Sequence, residues 1–175
     1  MAYLFGIRDA KIALWLSSGV YGSLYDLPAV NRIEYNQTLS EGQLEGDDEI
    51  VDSYAKIIGV EGRVVFGENT TVRPELMQIV LGTSNTSSGG KERMKLGATN
   101  PNYFGLAWKV VTSESGAEDH FLVYKARINN VSYSAQYNGY VVPEISFRGV
   151  ADASYVMEIV QDQALNTALA MPLTF

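Results

Sequence analysis

The chain has 175 residues and a formal net charge of −7, from 13 Lys and Arg against 20 Asp and Glu. This length and a hydrophobic fraction of 46% are typical of one folded domain, so we predict a single domain, 1–175. The absence of cysteine excludes disulfide scaffolds, thiol catalysis and cysteine-ligated zinc. The acidic balance argues against a protein that grips nucleic acid by its phosphates.

No apolar stretch reaches the roughly 18 residues of a membrane span. The first nine residues lack the basic region and apolar core of a signal peptide, so we expect no secretion and no membrane contact. We interpret 1–9 instead as an N-terminal arm. The four Asn-x-Ser/Thr sequons are then chance matches.

Alternation of apolar and polar residues predicts antiparallel strands with one solvated face. In 30–39, Ile33, Tyr35 and Leu39 fall on one face, and Glu34 and Asn36 fall on the other. The same alternation runs through 121–128, where it places Leu122 and Ala126 on one face, and through 144–151. Further strands are predicted at 11–16, 56–66, 103–111 and 155–160, with a bulge or bend near Gly59 and Gly62.

One segment, 72–81, has the spacing of an amphipathic helix. Pro74 suits its first turn, and Gly82 follows as a stop signal. A weaker helix candidate at 163–170 is left open. The fold class is therefore mainly β: an antiparallel β-sandwich or barrel-like domain with one flanking helix and long loops.

Two connecting segments have unusual compositions. The segment 41–52 holds six acidic residues and no basic one, and is predicted to be an acidic loop. The segment 83–102 is rich in Ser, Gly, Asn and Thr, and is predicted to be a long flexible loop. It carries a basic cluster of Lys91, Arg93 and Lys95.

The sequence offers few candidate catalytic or ligand-binding residues. His120 is the one histidine, no Gly-x-Ser-x-Gly motif accompanies it, and we interpret it as an ordinary strand-edge residue. Gly89-Gly90-Lys91 does not meet the spacing of a phosphate-binding loop. The acidic loop lacks the ligand spacing of a calcium-binding EF-hand, so we predict no metal, no cofactor and no enzymatic activity.

The order of segments from 44 to 82, an acidic turn, a long strand pair and a short helix, resembles the major tail tube proteins of long, non-contractile-tailed bacteriophages. The early segment Gly22-Ser23-Leu24-Tyr25-Asp26-Leu27-Pro28-Ala29-Val30 is similar to the loop that leads into their first long strand, and 140–151 is similar to their closing strand. The likeness is one of order and spacing over most of the chain.

This resemblance implies a structural virion protein with a β-sandwich fold and a flanking helix. Six copies would close a ring, and rings would stack into a tube through which double-stranded DNA passes at ejection. The implied partners are other copies of the chain and the tape measure, tail terminator and tail tip proteins. The implied location is the virion tail, after assembly in the host cytoplasm.

Within that expectation, the polar strand faces suggest a lumen lining of Glu34, Asn36 and Glu144. Such a lining would repel rather than retain DNA, provided that Arg32 and Arg148 on the same faces are salt-bridged or turned towards a neighbour. The acidic loop and the basic cluster have opposite charges, which suggests contacts between subunits or rings. The residues predicted for those contacts are Asp47, Asp48, Glu49, Lys91, Arg93 and Lys95.

Two other functions remain open from the sequence. The 11 tyrosines are compatible with a carbohydrate-binding β-sandwich module, because aromatic rings stack on sugars. A small hydrolase with dispersed carboxylates is the third hypothesis. The distance between two catalytic carboxylates cannot be read from a sequence, so such a pair is not excluded.

Overall fold

A computed structural model of the chain describes residues 6–46, 49–67, 73–98, 100–111, 117–137, 139–162 and 167–173. In chain order, its elements are β1 (Gly6–Ser17), β2 (Val20–Tyr21), β3 (Tyr25–Asp26), β4 (Val30–Gly46), β5 (Glu49–Phe66), α1 (Pro74–Leu81), β6 (Ser84–Ser88), β7 (Lys91–Lys95), β8 (Tyr103–Val111), β9 (Glu118–Gln136), β10 (Gly139–Val150) and β11 (Met157–Asp162). The predicted mainly β, antiparallel class with one helix is confirmed.

The described strands form one nine-stranded antiparallel sheet and a separate two-stranded hairpin. The main path runs β2-β1-β8-β9-β10-β5-β4, β3 joins β1, and β11 pairs with the first part of β9. Because β9 is 19 residues long, it pairs with β8 at one end and with β10 at the other. The second half of β9 therefore belongs to a four-stranded unit, β9-β10-β5-β4.

The sheet folds over so that distant strands share one core. The ring of Tyr35 on β4 lies 5.7 Å from that of Trp108 on β8 and 6.3 Å from that of Phe121 on β9. Trp108 and Phe121 stack with an interplanar angle of 3°. Strands several positions apart in the sheet thus pack face to face, as in a sandwich.

Helix α1 closes one side of this core. Leu76, Met77 and Val80 are buried, and Gly82 ends the helix in a left-handed conformation with its N–H bonded to the Gln78 carbonyl. Pro74 occupies the first turn, as predicted. The helix begins two residues later than expected, and position 72 lies outside the described residues.

The C-terminal segment, 167–173, covers the other face of β8 and β9. Leu169 and Leu173 pack against Ala107 and Leu122 in a second apolar cluster. No helix forms over 167–170, and the remainder of the open candidate at 163–170 lies outside the described residues.

Three predicted connections are corrected. The start of the predicted arm, 1–5, lies outside the described residues, but 6–9 belong to β1, which pairs with β8. The predicted flexible loop 83–102 contains the hairpin of β6 and β7, whose strands satisfy each other's backbone groups. The predicted acidic loop 41–52 is instead the end of the β4–β5 hairpin, with only 47 and 48 outside the description.

Candidate functional site: a charged sheet face and a projecting hairpin

The solvated face of β4, β5 and β10 carries a network of ion pairs. Arg63 on the middle strand donates from Nε to Oε2 of Glu34 at 2.5 Å, and its Nη1 lies 3.4 Å from Oε2 of Glu144. The two glutamates that the sequence suggested for a lumen lining therefore share one guanidinium. The sequence analysis did not identify Arg63. Its alternation with buried Val64 on β5 would have placed it on the same solvated face.

The two arginines that complicated the charge argument are also paired. Nε of Arg32 lies 3.1 Å from Oε1 of Glu34, and Nε of Arg148 lies 3.5 Å from Oε1 of Glu61. Three guanidinium groups and three carboxylates thus balance on this part of the face. The face is ion-paired rather than acidic.

This pairing changes how the groups bind protons. The hydrogen bond from Arg63 lowers the pKa of Glu34 below its ordinary value, with Arg32 contributing in the same direction. The same bond raises the pKa of Arg63. Asn36 is exposed beside the network and lines a shallow open depression of about 330 Å³ with Glu61 and Ser146.

The polar face continues onto β9, where its character changes. Nζ of Lys125 lies 4.1 Å from the ring centroid of Trp15 and 4.5 Å from that of Tyr103. The guanidinium carbon of Arg127 lies 4.0 Å from the Tyr103 centroid. We call these four residues the cation–aromatic patch; sequence reasoning missed it because it joins β1, β8 and β9.

The β4–β5 hairpin projects beyond the rest of the sheet. The last residue of β10 in the ladder, Val150, pairs with Gly59, which in turn faces Thr38. From Leu39 to Gly46 the hairpin has no third strand beside it in the described part of the chain, and at about 3.3 Å per residue this length is about 25 Å.

The base of this projection is apolar on its surface. Leu39 is 51% exposed, and Ile57 and Ile58 are each 45% exposed. The sequence pattern placed Leu39 on the core face with Ile33 and Tyr35, but it lies past the end of β10, where no core remains to cover it. Ile58 is the bulged residue beside Gly59, where a bulge was predicted.

The predicted inter-subunit residues lie on separate hairpins. Lys91, Arg93 and Lys95 are exposed on β7, and no ion pair within the described part of the chain joins them to the β4–β5 hairpin. Asp47 and Asp48 lie outside the described residues, as does the side chain of Glu49. Their predicted contacts remain predictions.

His120 belongs to a buried cluster of charged and polar side chains. It is buried near the start of β9, between β8 and β11, rather than at the strand edge that we expected. Its Nε2 lies 3.4 Å from Glu118, which also pairs with the buried Lys109 at 3.3 Å. Lys109 donates to the Thr167 carbonyl at 2.9 Å, so the cluster fastens the C-terminal segment to the sheet.

A cavity of about 570 Å³ opens between β9, β11 and the C-terminal segment. Tyr124 and Tyr155 line it together with Glu158, and the Tyr124 hydroxyl donates to Oε2 of Glu158 at 2.5 Å. Burial, together with this hydrogen bond, raises the pKa of Tyr124. It is a place where two tyrosines meet at a concave surface.

Among the described residues, no three His, Asp or Glu side chains are placed to hold a metal ion. The part of the chain that the structure covers also contains no helix with the length and hydrophobicity needed to cross a membrane. No protein-family model matches this chain, and no curated protein matches it in sequence.

Proposed function

We propose that this protein is the repeating subunit of a bacteriophage tail tube, assembled as stacked rings that conduct double-stranded DNA. One observation carries the proposal: among the described strands, a four-stranded sheet has two unpaired edges on opposite sides, and its solvent-exposed face is polar. The ring size of six and the viral setting come from the resemblance of the sequence.

The two free edges are complementary in direction. One is the outer edge of β4, which pairs only with β5 among the described strands. The other is β9 beyond Arg127, where β8 no longer accompanies it. Because strand direction alternates along β4-β5-β10-β9, the β4 of one copy would lie antiparallel to the β9 of the next.

Pairing of two different edges is a head-to-tail contact, which closes into a ring when the rotation per subunit allows it. Ring closure would also remove the exposed backbone groups that make free strand edges prone to aggregation. The projecting hairpin, with Leu39 and Ile57 exposed at its base, would then cover its apolar surface against a neighbouring copy.

In such a ring the charged face of β4, β5 and β10 would line the lumen, as proposed for Glu34, Asn36 and Glu144. Each guanidinium on that part of the face is already bound to a carboxylate. An arginine held in this way offers DNA phosphates less than a free one does. The ring as a whole, at 6 × −7 = −42, would repel the phosphate backbone.

Size measurements test the proposal. Gel filtration with light scattering should detect rings or long polymers in the purified protein, and negative-stain images should show an annular cross-section. A species that stays monomeric at concentrations of about 1 mM would refute the tube assignment.

The cavity beside Tyr124 and Tyr155 favours one second candidate, a carbohydrate-binding module. In that case a monomeric protein would bind glycans, and Tyr155→Ala would abolish the binding. A glycan-array signal from monomers would favour this candidate over the tube.

A further inference from the structure

The cation–aromatic patch holds two cations that have no carboxylate partner among the described residues. Within the described residues, Lys125 and Arg127 form no ion pair, although Arg148 on the next strand has one. Nε of Arg127 is buried and has no hydrogen-bond acceptor in the described part of the structure. A buried donor of this kind is costly to leave unsatisfied.

The geometry of the patch suits an anionic side chain. The Lys125 ammonium lies over the rings of Trp15 and Tyr103, and the Arg127 guanidinium lies over the ring of Tyr103. The Trp15 ring is held in place because its Nε1 donates a hydrogen bond of 3.1 Å to Asp152. A guanidinium that lies over an aromatic ring can still donate from its terminal Nη groups, and these donors match a carboxylate. The patch therefore presents two cations whose positions are set by contacts with aromatic rings.

The position of Lys125 in the sheet indicates where a carboxylate would come from. Lys125 lies in one row with Val150, Gly59 and Thr38, at the level where the β4–β5 hairpin leaves the sheet. The free edge of β9 begins just beyond Arg127. If the β4 of a neighbouring copy pairs with that edge in the rows that it occupies in its own sheet, its hairpin leaves the ladder next to Arg127 and Lys125. The end of that hairpin, 41–52, holds six acidic residues and no basic one.

We propose that the acidic hairpin end of one copy docks on the cation–aromatic patch of the next, with its carboxylates paired to Lys125 and Arg127. The inference rests on the ring proposed above and assigns one of its subunit contacts. It replaces Lys91, Arg93 and Lys95 as the first partner of the acidic segment. A DNA phosphate is the rival occupant, and the experiment separates the two.

Zero-length carbodiimide coupling of assembled protein tests the contact. Mixing isotopically light and heavy copies identifies links between subunits, and we expect light-to-heavy links joining Lys125 to acidic residues of 41–52. The control Lys125→Arg keeps the charge but removes the amine, so the link should vanish while assembly persists. Links from Lys91 or Lys95 to that segment in place of Lys125 would overturn the inference.

Assembly provides a second measurement. Lys125→Gln should raise the protein concentration needed for assembly at least about fivefold, because a charge pair across the interface is lost. Lys91→Gln is the matched control and should leave it unchanged. Normal assembly of Lys125→Gln together with weaker DNA retention would identify a phosphate site and refute the docking contact.

The outcomes separate the two proposals. Rings without the Lys125 link leave the tube assignment standing and reject only this contact. Wild-type protein that never assembles rejects both.

Discussion

Arg63 Nε donates to Glu34 Oε2 across 2.5 Å between neighbouring strands, and its Nη1 lies 3.4 Å from Glu144. A single guanidinium thereby connects three strands of the charged face. Because this bond lowers the pKa of Glu34, the folded state holds that proton less tightly than the unfolded chain does. The resulting stability is present above the unfolded pKa and is lost as pH falls through the folded one.

Glu34→Gln should therefore lower the thermal midpoint at neutral pH, and the difference from wild type should shrink at acid pH. Once Glu34 is protonated in the wild type, both proteins present a neutral group to Arg63. Thermal unfolding of dilute, unassembled protein between about pH 7 and about pH 2 measures this. Glu92→Gln, on the exposed β7, is the control; a constant Glu34→Gln difference at every pH would contradict the account.

Gly62 is required by the packing of β5. A Cβ at this position would lie 2.7 Å from the Phe147 ring and still closer to the Glu34 carbonyl oxygen. Gly62→Ala should destabilise the protein by about 1–3 kcal/mol, measured by urea unfolding. Gly22→Ala, whose Cβ would meet Leu14 at an ordinary 3.5 Å, should change stability much less. Equal effects of the two changes would show that both the Phe147 ring and the β4 backbone at Glu34 shift to make room.

The buried cluster of Lys109, Glu118 and His120 should respond asymmetrically to mutation. Glu118→Gln leaves the Lys109 ammonium buried without its carboxylate and should cost about 3–5 kcal/mol in the free energy of unfolding. Combining Lys109→Met with Glu118→Leu removes both charges and should cost less than that. Urea unfolding of the single and double variants decides; additive losses would indicate that the pair is not coupled.

Mutations in the apolar base of the hairpin should impair assembly without impairing the folding of the monomer. Leu39→Asp with Ile57→Lys should abolish polymerisation while changing monomer stability by only about 0.5 kcal/mol per site, because both side chains are exposed and the new charges face each other with opposite sign. Leu96→Asp changes a side chain that is 61% exposed elsewhere, and should assemble normally. Light scattering as a function of protein concentration compares the two variants. Normal polymers from the hairpin variant would exclude the base of the hairpin from the subunit interface.

The sequence pattern predicted the strands well where one face is buried and one is wet. The alternation at Ile33, Glu34 and Tyr35 corresponds to a real division between core and solvent. The pattern fails at Leu122, which was placed on one face with Ala126. A register shift in the β8–β9 pairing intervenes, so Leu122 packs against the C-terminal segment while Ala126 lies in the main core.

The network of the candidate site could be predicted only in part. Glu34 and Glu144 were identified from period-two faces, but their shared partner Arg63 depends on the register of two ladders, which local sequence does not encode. The cation–aromatic patch joins residues from β1, β8 and β9 that are more than a hundred positions apart at its extremes. Such contacts arise from topology and leave no local pattern.

The most direct test of the account is a cryo-electron microscopy reconstruction of the assembled protein. We expect a ring in which β4 of each copy pairs with β9 of the next and Glu34, Asn36 and Glu144 face the lumen. A reconstruction with these three residues on the exterior, or with β4 and β9 unpaired between copies, would contradict it.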